Sequence, residues 1–152
     1  MDYSDDPFLA ETADLLGPRG LIRHPEVMAQ WLTDWRGRYT GAARALASPA
    51  STGELAALIK LCARHGVPVV PQGGNSGMSG GATPDASGTA LLVSTRRMNA
   101  IRAVDAQART VLCEAGVVLQ SLHDAAEAQG LRFPLTLGGK GSATIGGLIS
   151  TN

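Results

Sequence analysis

A strand-like run that leads directly into a glycine-rich loop constrains this chain more than any other feature. Residues 69–82 read VVPQGGNSGMSGGA and contain five glycines. Glycine loses more backbone freedom on folding than any other residue, so a cluster of glycines in a globular chain needs a physical reason. Glycines let the backbone approach a bound molecule closely, and backbone N–H groups can then bind phosphate oxygens. The stretch therefore predicts a loop that binds a phosphate-containing ligand.

A second glycine-rich stretch, LGGKGSATIGG at residues 137–147, lies in the same small chain. A surface turn without a ligand would explain one such loop but explains two of them poorly. The familiar phosphate motifs are absent from these stretches. A Walker loop fails because Pro134 stands where its first glycine belongs and Gly141 where its hydroxyl residue belongs. The GxGxxG pattern also fails in the first loop, which disfavours a Rossmann NAD site.

Composition excludes several classes of protein. The 152 residues include 13 basic and 13 acidic side chains, and a net charge of zero argues against nucleic acid or an anionic membrane as a partner. No apolar run approaches the roughly 20 residues of a membrane span. The acidic start at residues 1–6 is unlike a signal peptide. Cys62 and Cys113 have no metal-ligand spacing, which favours reduced thiols, no metal site and a cytoplasmic protein.

The periodicity of the chain predicts an α+β fold. Residues 8–36 are expected to be helical, so we divide the chain into an N-terminal helical segment, 1–41, and a domain, 42–152. Strands are expected at 44–47, 67–70 and 90–93, and a hairpin is expected from residues 99–105 and 110–115. A helix begins at the capping box Ser51–Glu54 and ends at Gly66. Another helix is expected at residues 118–129.

The paired loops and their spacing resemble the PCMH-type FAD-binding domain of the vanillyl-alcohol oxidase / p-cresol methylhydroxylase superfamily. The nearest branch is that of the FAD-linked D-2-hydroxyacid dehydrogenases, which includes D-2-hydroxyglutarate dehydrogenase, D-lactate dehydrogenase and the glycolate oxidase D subunit. Residues 71–77 match the first FAD loop of this family, and residues 137–152 match the second. Residues 34–41 and 113–116 are further landmarks, so the resemblance covers the chain from about residue 20.

The resemblance implies two α+β subdomains with FAD extended between them, and an FAD-binding domain that is incomplete at its C-terminal end. The first loop would wrap the pyrophosphate, and the second would line the cofactor further along. The implied cofactor-binding residues are Pro71, Gln72, Gly73, Gly74, Asn75, Ser76, Gly77, Met78, Gly138, Gly141, Ser142, Thr144, Gly146, Gly147 and Asn152.

One position departs from some relatives, which carry a covalently flavinylated histidine where Asn75 stands. The asparagine amide is not a useful nucleophile, so we expect non-covalent FAD. No catalytic residue is expected in this chain. His24, His65 and His123 read as solvated surface residues, and the resemblance implies that the substrate-binding groups and any metal-ligating histidines lie beyond residue 152. The chain alone is therefore expected to be inactive.

The resemblance implies oxidation of a D-2-hydroxy acid, of the D-2-hydroxyglutarate, D-lactate or glycolate type, to the 2-keto acid. The electrons would pass to an electron-transfer flavoprotein, a quinone or a dye. Two alternatives stay open: a sugar or alcohol oxidase of the same superfamily, and a non-catalytic, truncated FAD-binding remnant. Self-association into a homodimer is left open as well.

Overall fold

The computed structural model describes residues 6–151 and contains a four-stranded mixed sheet followed by a β-hairpin with two further helices. The expected α+β class is confirmed, and the two sheets fit the two expected subdomains. Asn152 lies outside the described residues. In chain order the elements are α1 (Pro7–Leu16), β1 (Leu21–Ile22), α2 (Pro25–Met28), a 3-10 helix (Ala29–Trp31), β2 (Ala45–Ala47), α3 (Thr52–His65), β3 (Val69–Gln72), β4 (Leu91–Ser94), β5 (Ile101–Asp105), β6 (Thr110–Cys113), α4 (Leu119–Glu127) and α5 (Ile145–Thr151).

The four-stranded sheet has a hydrophobic core on each face. Its strand order is β1-β2-β4-β3, with β2, β4 and β3 parallel and β1 antiparallel at one edge. Side chains alternate between the faces, as the period of a strand requires. Leu46 and Leu92 pack with Met28 of α2 on one face. On the other face Leu91 and other strand residues pack with α1 and α3. Parallel strands buried on both faces explain the unbroken apolar run at 90–93.

The prediction of a helix over residues 8–36 is wrong in part. Residues 7–16 and 25–31 are helical, but Leu21 and Ile22 form a strand that pairs with Ala47 and Leu46. A two-residue strand is too short to show the alternating pattern that would identify it in the sequence. The strand joins the N-terminal segment to the sheet of the following domain. The domain boundary at residues 41 and 42 stays a prediction.

Helix α3 begins and ends as its sequence indicates. The Ser51 hydroxyl oxygen accepts a hydrogen bond from the Glu54 backbone N–H at 3.1 Å, and Gly66 ends the helix in the left-handed region at φ 64°. The Glu54 carboxylate accepts the Ala50 N–H at 2.7 Å, one residue before the usual partner in a capping box. Both ends of the helix are thus capped by the residues that the sequence identified.

The register of the parallel strands determines where the first glycine-rich stretch leaves the sheet. Gln72, the last residue of β3, pairs with Ser94, the last residue of β4. The chain after β3 and the chain after β4 therefore leave the same edge side by side. The segment after β4 continues into the expected hairpin, in which Asp105 pairs with Thr110, and then into α4.

Candidate functional site

The structure brings the two glycine-rich stretches into direct contact. We call residues 73–82 the first glycine loop and residues 137–147 the second glycine loop. A Cβ atom built at Gly73 would lie 2.1 Å from Thr144 Oγ1, and one built at Gly74 would lie 1.7 Å from the Ser142 carbonyl oxygen. Both distances are shorter than any side chain tolerates. Gly74 is therefore required because the two loops pack backbone against backbone, and Gly73 because its backbone packs on the Thr144 side chain.

The second glycine loop is fixed by the segment between β6 and α4. Thr144 forms an antiparallel bridge with Val118, and the Gly146 N–H donates to the Ala115 carbonyl oxygen at 2.8 Å. A Cβ atom built at Gly146 would lie 2.8 Å from Ala115 Cβ. Gly146 thus permits this close approach. Main-chain contacts hold the second loop in place at its C-terminal end.

Other glycines of the site are not explained by contacts within the described residues. A Cβ atom built at Gly77, Gly138 or Gly141 would meet no atom within 4 Å, apart from its chain neighbours. None of the three has a positive φ angle. Neither packing nor backbone conformation therefore requires glycine at these positions. All three are exposed, so they line a surface where bare backbone can contact a ligand.

Two side chains of the candidate site carry buried polar oxygens without a hydrogen-bond partner among residues 6–151. Thr144 is 2% exposed, and its Oγ1 atom has no partner. Gln72 is 1% exposed, and its Oε1 atom also has none. Buried polar groups almost always have a partner, so an unsatisfied atom calls for an explanation. Thr144 lies where the two loops meet, and a ligand that enters there can supply the missing partner.

The amide nitrogens of Gln72 and Asn75 connect the first glycine loop to the rest of the chain. Gln72 Nε2 donates to the carbonyl oxygens of Trp31 and Ala82, both at 2.9 Å. Asn75 Nδ2 donates to the Thr33 carbonyl oxygen at 2.8 Å, and its backbone is left-handed with φ 52°. These side chains therefore hold the loop, which leaves its backbone to face a ligand.

The remaining predicted residues lie around the same contact between the loops. Ser76 Cβ lies 3.8 Å from a Cβ built at Gly139, and Ser142 Oγ donates to the Gly139 carbonyl oxygen at 3.3 Å. Pro71, Met78 and Gly147 are exposed. Residues from both loops are thus brought together, and only Asn152 lies outside the described part of the chain.

Sequence reasoning missed Arg96, which lies directly after β4. Its guanidinium donates to the carbonyl oxygens of Gly73 and Gly74, at 3.3 and 3.2 Å. The side chain is exposed and brings a positive charge to the first glycine loop. A polar residue at the end of a strand is common, so the sequence held no signal for this role.

The histidines and cysteines all lie outside the two glycine loops, and the expected absence of catalytic residues stays a prediction. Exposed His65 pairs with Glu11 at 2.9 Å, and His123 lies 2.9 Å from the Leu135 carbonyl oxygen. Burial raises the pKa of the Cys62 thiol and that of the Cys113 thiol, which disfavours the reactive thiolates. Among residues 6–151, no group of three or more His, Cys, Asp or Glu residues could hold a metal ion.

Comparison with known proteins identifies the family. A family model described as "FAD binding domain" matches residues 43–152. The chain belongs to this family. FAD is therefore its cofactor, as the resemblance implied, and FAD is a phosphate-containing ligand of the kind that the glycine-rich stretch predicts. The matched range includes both glycine loops, whereas the N-terminal segment lies outside it.

Several proteins that are similar to this chain are hydroxyacid dehydrogenases by name. The chain is 34% identical over 152 residues to mitochondrial D-2-hydroxyglutarate dehydrogenase of Arabidopsis thaliana, which covers 100% of this chain and 26% of that protein. It is 35% identical over 147 residues to D-2-hydroxyglutarate dehydrogenase of Xanthomonas citri, covering 97% and 31%. It is 41% identical over 104 residues to D-lactate dehydrogenase of Archaeoglobus fulgidus, covering 68% and 23%. The chain thus spans between 23% and 31% of these relatives.

Solved structures share the fold. Alkyldihydroxyacetonephosphate synthase superposes with a TM-score of 0.84 at 22% identity, over 94% of this chain and 28% of that chain. p-Cresol methylhydroxylase superposes with a TM-score of 0.74 at 20% identity, over 93% and 28%. The expected PCMH-type fold is confirmed. No helix among residues 6–151 is long and apolar enough to cross a membrane. The cytoplasmic location stays a prediction, because the Arabidopsis relative is mitochondrial by name.

Proposed function

We propose that the two glycine loops bind the diphosphate of FAD where they meet. The observation that carries this proposal is the set of exposed glycines, Gly77, Gly138 and Gly141, that neither packing nor backbone angle explains. Backbone N–H groups of such residues can donate to phosphate oxygens without a side chain in the way. The unpartnered Thr144 Oγ1 offers a further hydrogen bond, and Arg96 adds a positive charge close to the first loop.

The residues proposed to form the cofactor site are those expected from the sequence. Gln72 and Asn75 contribute by holding the loop, since their amide nitrogens are occupied by carbonyl oxygens of the protein. The other residues of the proposed site contribute backbone groups or a side-chain hydroxyl. The full set is Pro71, Gln72, Gly73, Gly74, Asn75, Ser76, Gly77, Met78, Gly138, Gly141, Ser142, Thr144, Gly146, Gly147 and Asn152.

For the whole protein we propose oxidation of a D-2-hydroxy acid to the corresponding 2-keto acid. Support comes from the relatives at 34–41% identity, which are D-2-hydroxyglutarate and D-lactate dehydrogenases by name. FAD, when bound, supplies the hydride acceptor for this class of reaction. The described residues bind and orient the cofactor. We assign substrate binding, electron transfer to an acceptor and any self-association into a homodimer to the whole protein and not to the described residues.

A sugar or alcohol oxidase is less well supported. Flavoenzymes with other substrates share the fold at about 20% identity, which shows the fold alone. No observation on the described residues favours such a substrate over a hydroxy acid.

The test is anaerobic reduction of the bound flavin in the full-length gene product. We expect D-2-hydroxyglutarate or D-lactate to bleach the flavin absorbance, while the L-enantiomers and glucose act far more slowly. Equal reduction by both enantiomers, or reduction by glucose alone, would contradict the hydroxyacid proposal. Purified protein that neither carries nor binds FAD would contradict the cofactor site itself.

A further inference from the structure

A small hairpin of the N-terminal segment is built around one buried carboxylate. We call residues 32–41 the Asp34 hairpin. Thr33 and Thr40 form an antiparallel bridge, and the Asp34 N–H donates to the Tyr39 carbonyl oxygen at 2.9 Å. The Asp34 residue is 4% exposed, and its carboxylate accepts the backbone N–H groups of Arg38 at 2.6 Å, Tyr39 at 2.8 Å and Arg36 at 3.3 Å. One side chain therefore fixes the turn of this hairpin.

The Asp34 hairpin contacts the first glycine loop. The Thr33 carbonyl oxygen accepts the side-chain amide of Asn75 at 2.8 Å. A Cβ atom built at Gly80 would lie 2.7 Å from the Tyr39 ring. Gly80 also has a φ angle of 73°, so both its backbone and its contact with Tyr39 favour glycine.

Contacts just before the Asp34 hairpin and at its last residue extend this interface. The Trp31 carbonyl oxygen, which directly precedes the hairpin, accepts the amide of Gln72 at 2.9 Å. A Cβ atom built at Gly41 would lie 1.9 Å from the Pro84 carbonyl oxygen, so these backbones touch as well. The N-terminal segment is thus in contact with the chain immediately before, within and just after the first glycine loop.

The contact between Asn75 and Thr33 stabilises an unusual backbone. Asparagine enters the left-handed region more readily than most other non-glycine residues, and this conformation persists where the surroundings hold it. The hydrogen bond to the Thr33 carbonyl oxygen supplies such a restraint at Asn75. The position of that oxygen depends on the hairpin, and therefore on Asp34.

We infer that Asp34 is a positioning residue for the cofactor site. It acts through the Thr33 carbonyl oxygen and the Tyr39 ring, and these hold the first glycine loop in the conformation that binds the FAD diphosphate. The inference rests on the proposed function and extends it to a residue outside the range 43–152 that the family model matches. A fully structural role would affect folding alone, whereas a positioning role also affects the affinity of folded protein for FAD.

The test measures FAD binding and folding separately in the full-length apoprotein. We compare wild type, Asp34→Ala and Asp34→Asn by flavin fluorescence titration at a temperature where circular dichroism shows each protein folded. We expect Asp34→Ala to raise the dissociation constant for FAD about tenfold or more. Asp34→Asn, which keeps one acceptor oxygen, should have a smaller effect. Asp105→Ala is the matched control, since Asp105 also accepts a backbone N–H, from Ala108 at 2.8 Å, in another turn.

A double-mutant cycle with Asn75→Gly tests the route of this effect. Glycine tolerates the left-handed backbone, so Asn75→Gly removes the amide without adding strain. If Asp34 acts through the contact with Asn75, adding an Asp34 substitution to Asn75→Gly should cost less affinity than the same substitution in wild type. Should Asp34→Ala fail to fold, the cycle with Asp34→Asn decides alone.

Two outcomes would overturn the inference. One is a dissociation constant for FAD that is unchanged in folded Asp34 variants. The other is full additivity of the Asp34 and Asn75 substitutions in their effects on FAD affinity. Wild-type apoprotein that binds no FAD would instead overturn the proposed function, so the two failures are distinguishable.

Discussion

The amide nitrogen of Asn75 lies 2.8 Å from the carbonyl oxygen of Thr33, to which it donates a hydrogen bond. This contact orients the Asn75 side chain, which is part of the first glycine loop, towards the N-terminal segment. An amide that already donates to the protein, and that is a poor nucleophile, is suited to holding a loop and not to forming a bond with a flavin. Non-covalent attachment stays a prediction.

Acid precipitation of the full-length holoprotein tests the mode of attachment. We expect the yellow colour in the supernatant, and an intact-protein mass equal to that of the bare polypeptide. Burial raises the pKa of the Cys62 thiol and of the Cys113 thiol, which disfavours the reactive thiolate at either position. Flavin that stays with the precipitate, or a mass increased by one FAD, would contradict this prediction.

Replacing Thr144 by valine should change stability and cofactor affinity in different ways. Thr144 Oγ1 is buried without a partner, so its removal should leave the free energy of unfolding of the apoprotein unchanged or raise it by roughly 1 kcal/mol. The same variant should bind FAD about tenfold more weakly, because the cofactor loses a hydrogen bond. Thr144→Ser, which keeps the hydroxyl, is the control. Urea unfolding and FAD titration measure the two effects, and unchanged affinity in Thr144→Val would contradict the assigned role.

Replacing Gln72 by leucine should destabilise the protein whether or not FAD is present. The Gln72 amide satisfies the carbonyl oxygens of both Trp31 and Ala82 in the buried interior. Leaving them without a donor should cost about 2 to 4 kcal/mol in the free energy of unfolding. Gln120→Ala is the control, because the half-buried Gln120 side chain bonds to Asp124 in the same helix, and the variant keeps the backbone bond from Gln120 to Lys140. An equally small loss in the free energy of unfolding of Gln72→Leu and Gln120→Ala would show that the Gln72 hydrogen bonds contribute little to stability.

Much of the fold could be predicted from the sequence, because local signals and tertiary contacts agree there. The capping residues of α3, the three strands β2, β3 and β4 to within two residues, and the hairpin were each expected, and the structure contains them. The strand at Leu21 and Ile22 could not be predicted, since it exists only through its pairing with β2. A strand of two residues shows too little alternation to outweigh the helical pattern on either side of it.

The sequence predicts that two loops form the candidate site, but it does not predict how the two loops pack against each other. The glycines identify the loops, yet the sequence does not say that Gly74 packs on the other loop while Gly77 is open. That difference depends on contacts between residues about 70 positions apart. The contacts of Arg96 with the first glycine loop, and that between Asn75 and Thr33 of the Asp34 hairpin, also join residues far apart in the chain, so no local pattern indicates them.

Acid should destabilise the protein in part through Glu114. Hydrogen bonds from the Ala100 N–H and from Arg102 hold the pKa of the Glu114 carboxyl below its ordinary value in the folded state. Its contribution to stability is therefore present above the ordinary pKa, and is lost as the pH falls through the lowered pKa. Urea unfolding at pH 7 and near pH 3 should show a smaller pH-dependent loss for Glu114→Gln than for wild type. Glu127→Gln removes an exposed carboxylate as a control, and an unchanged pH dependence in Glu114→Gln would contradict the assignment.

Substitution of Gly74 should test the packing between the loops. A Cβ at this position would lie 1.7 Å from the Ser142 carbonyl oxygen, so the backbone must shift to admit alanine. We expect Gly74→Ala to lower the melting temperature of the apoprotein by several degrees. An apoprotein as stable as wild type would show that the loops do not pack as described.

The central claim is that bare backbone on the first glycine loop contacts FAD, and Gly77→Val tests it most directly. A side chain at Gly77 meets open space in the protein, and its φ angle is not positive, so the apoprotein should fold. Ala106→Val, in the exposed turn between β5 and β6, controls for an added β-branched side chain on the surface. The measurement is the FAD content and FAD dissociation constant of the full-length protein. We predict folded Gly77→Val with little or no flavin and Ala106→Val with wild-type flavin content. Folded Gly77→Val that binds FAD as tightly as wild type would contradict the claim.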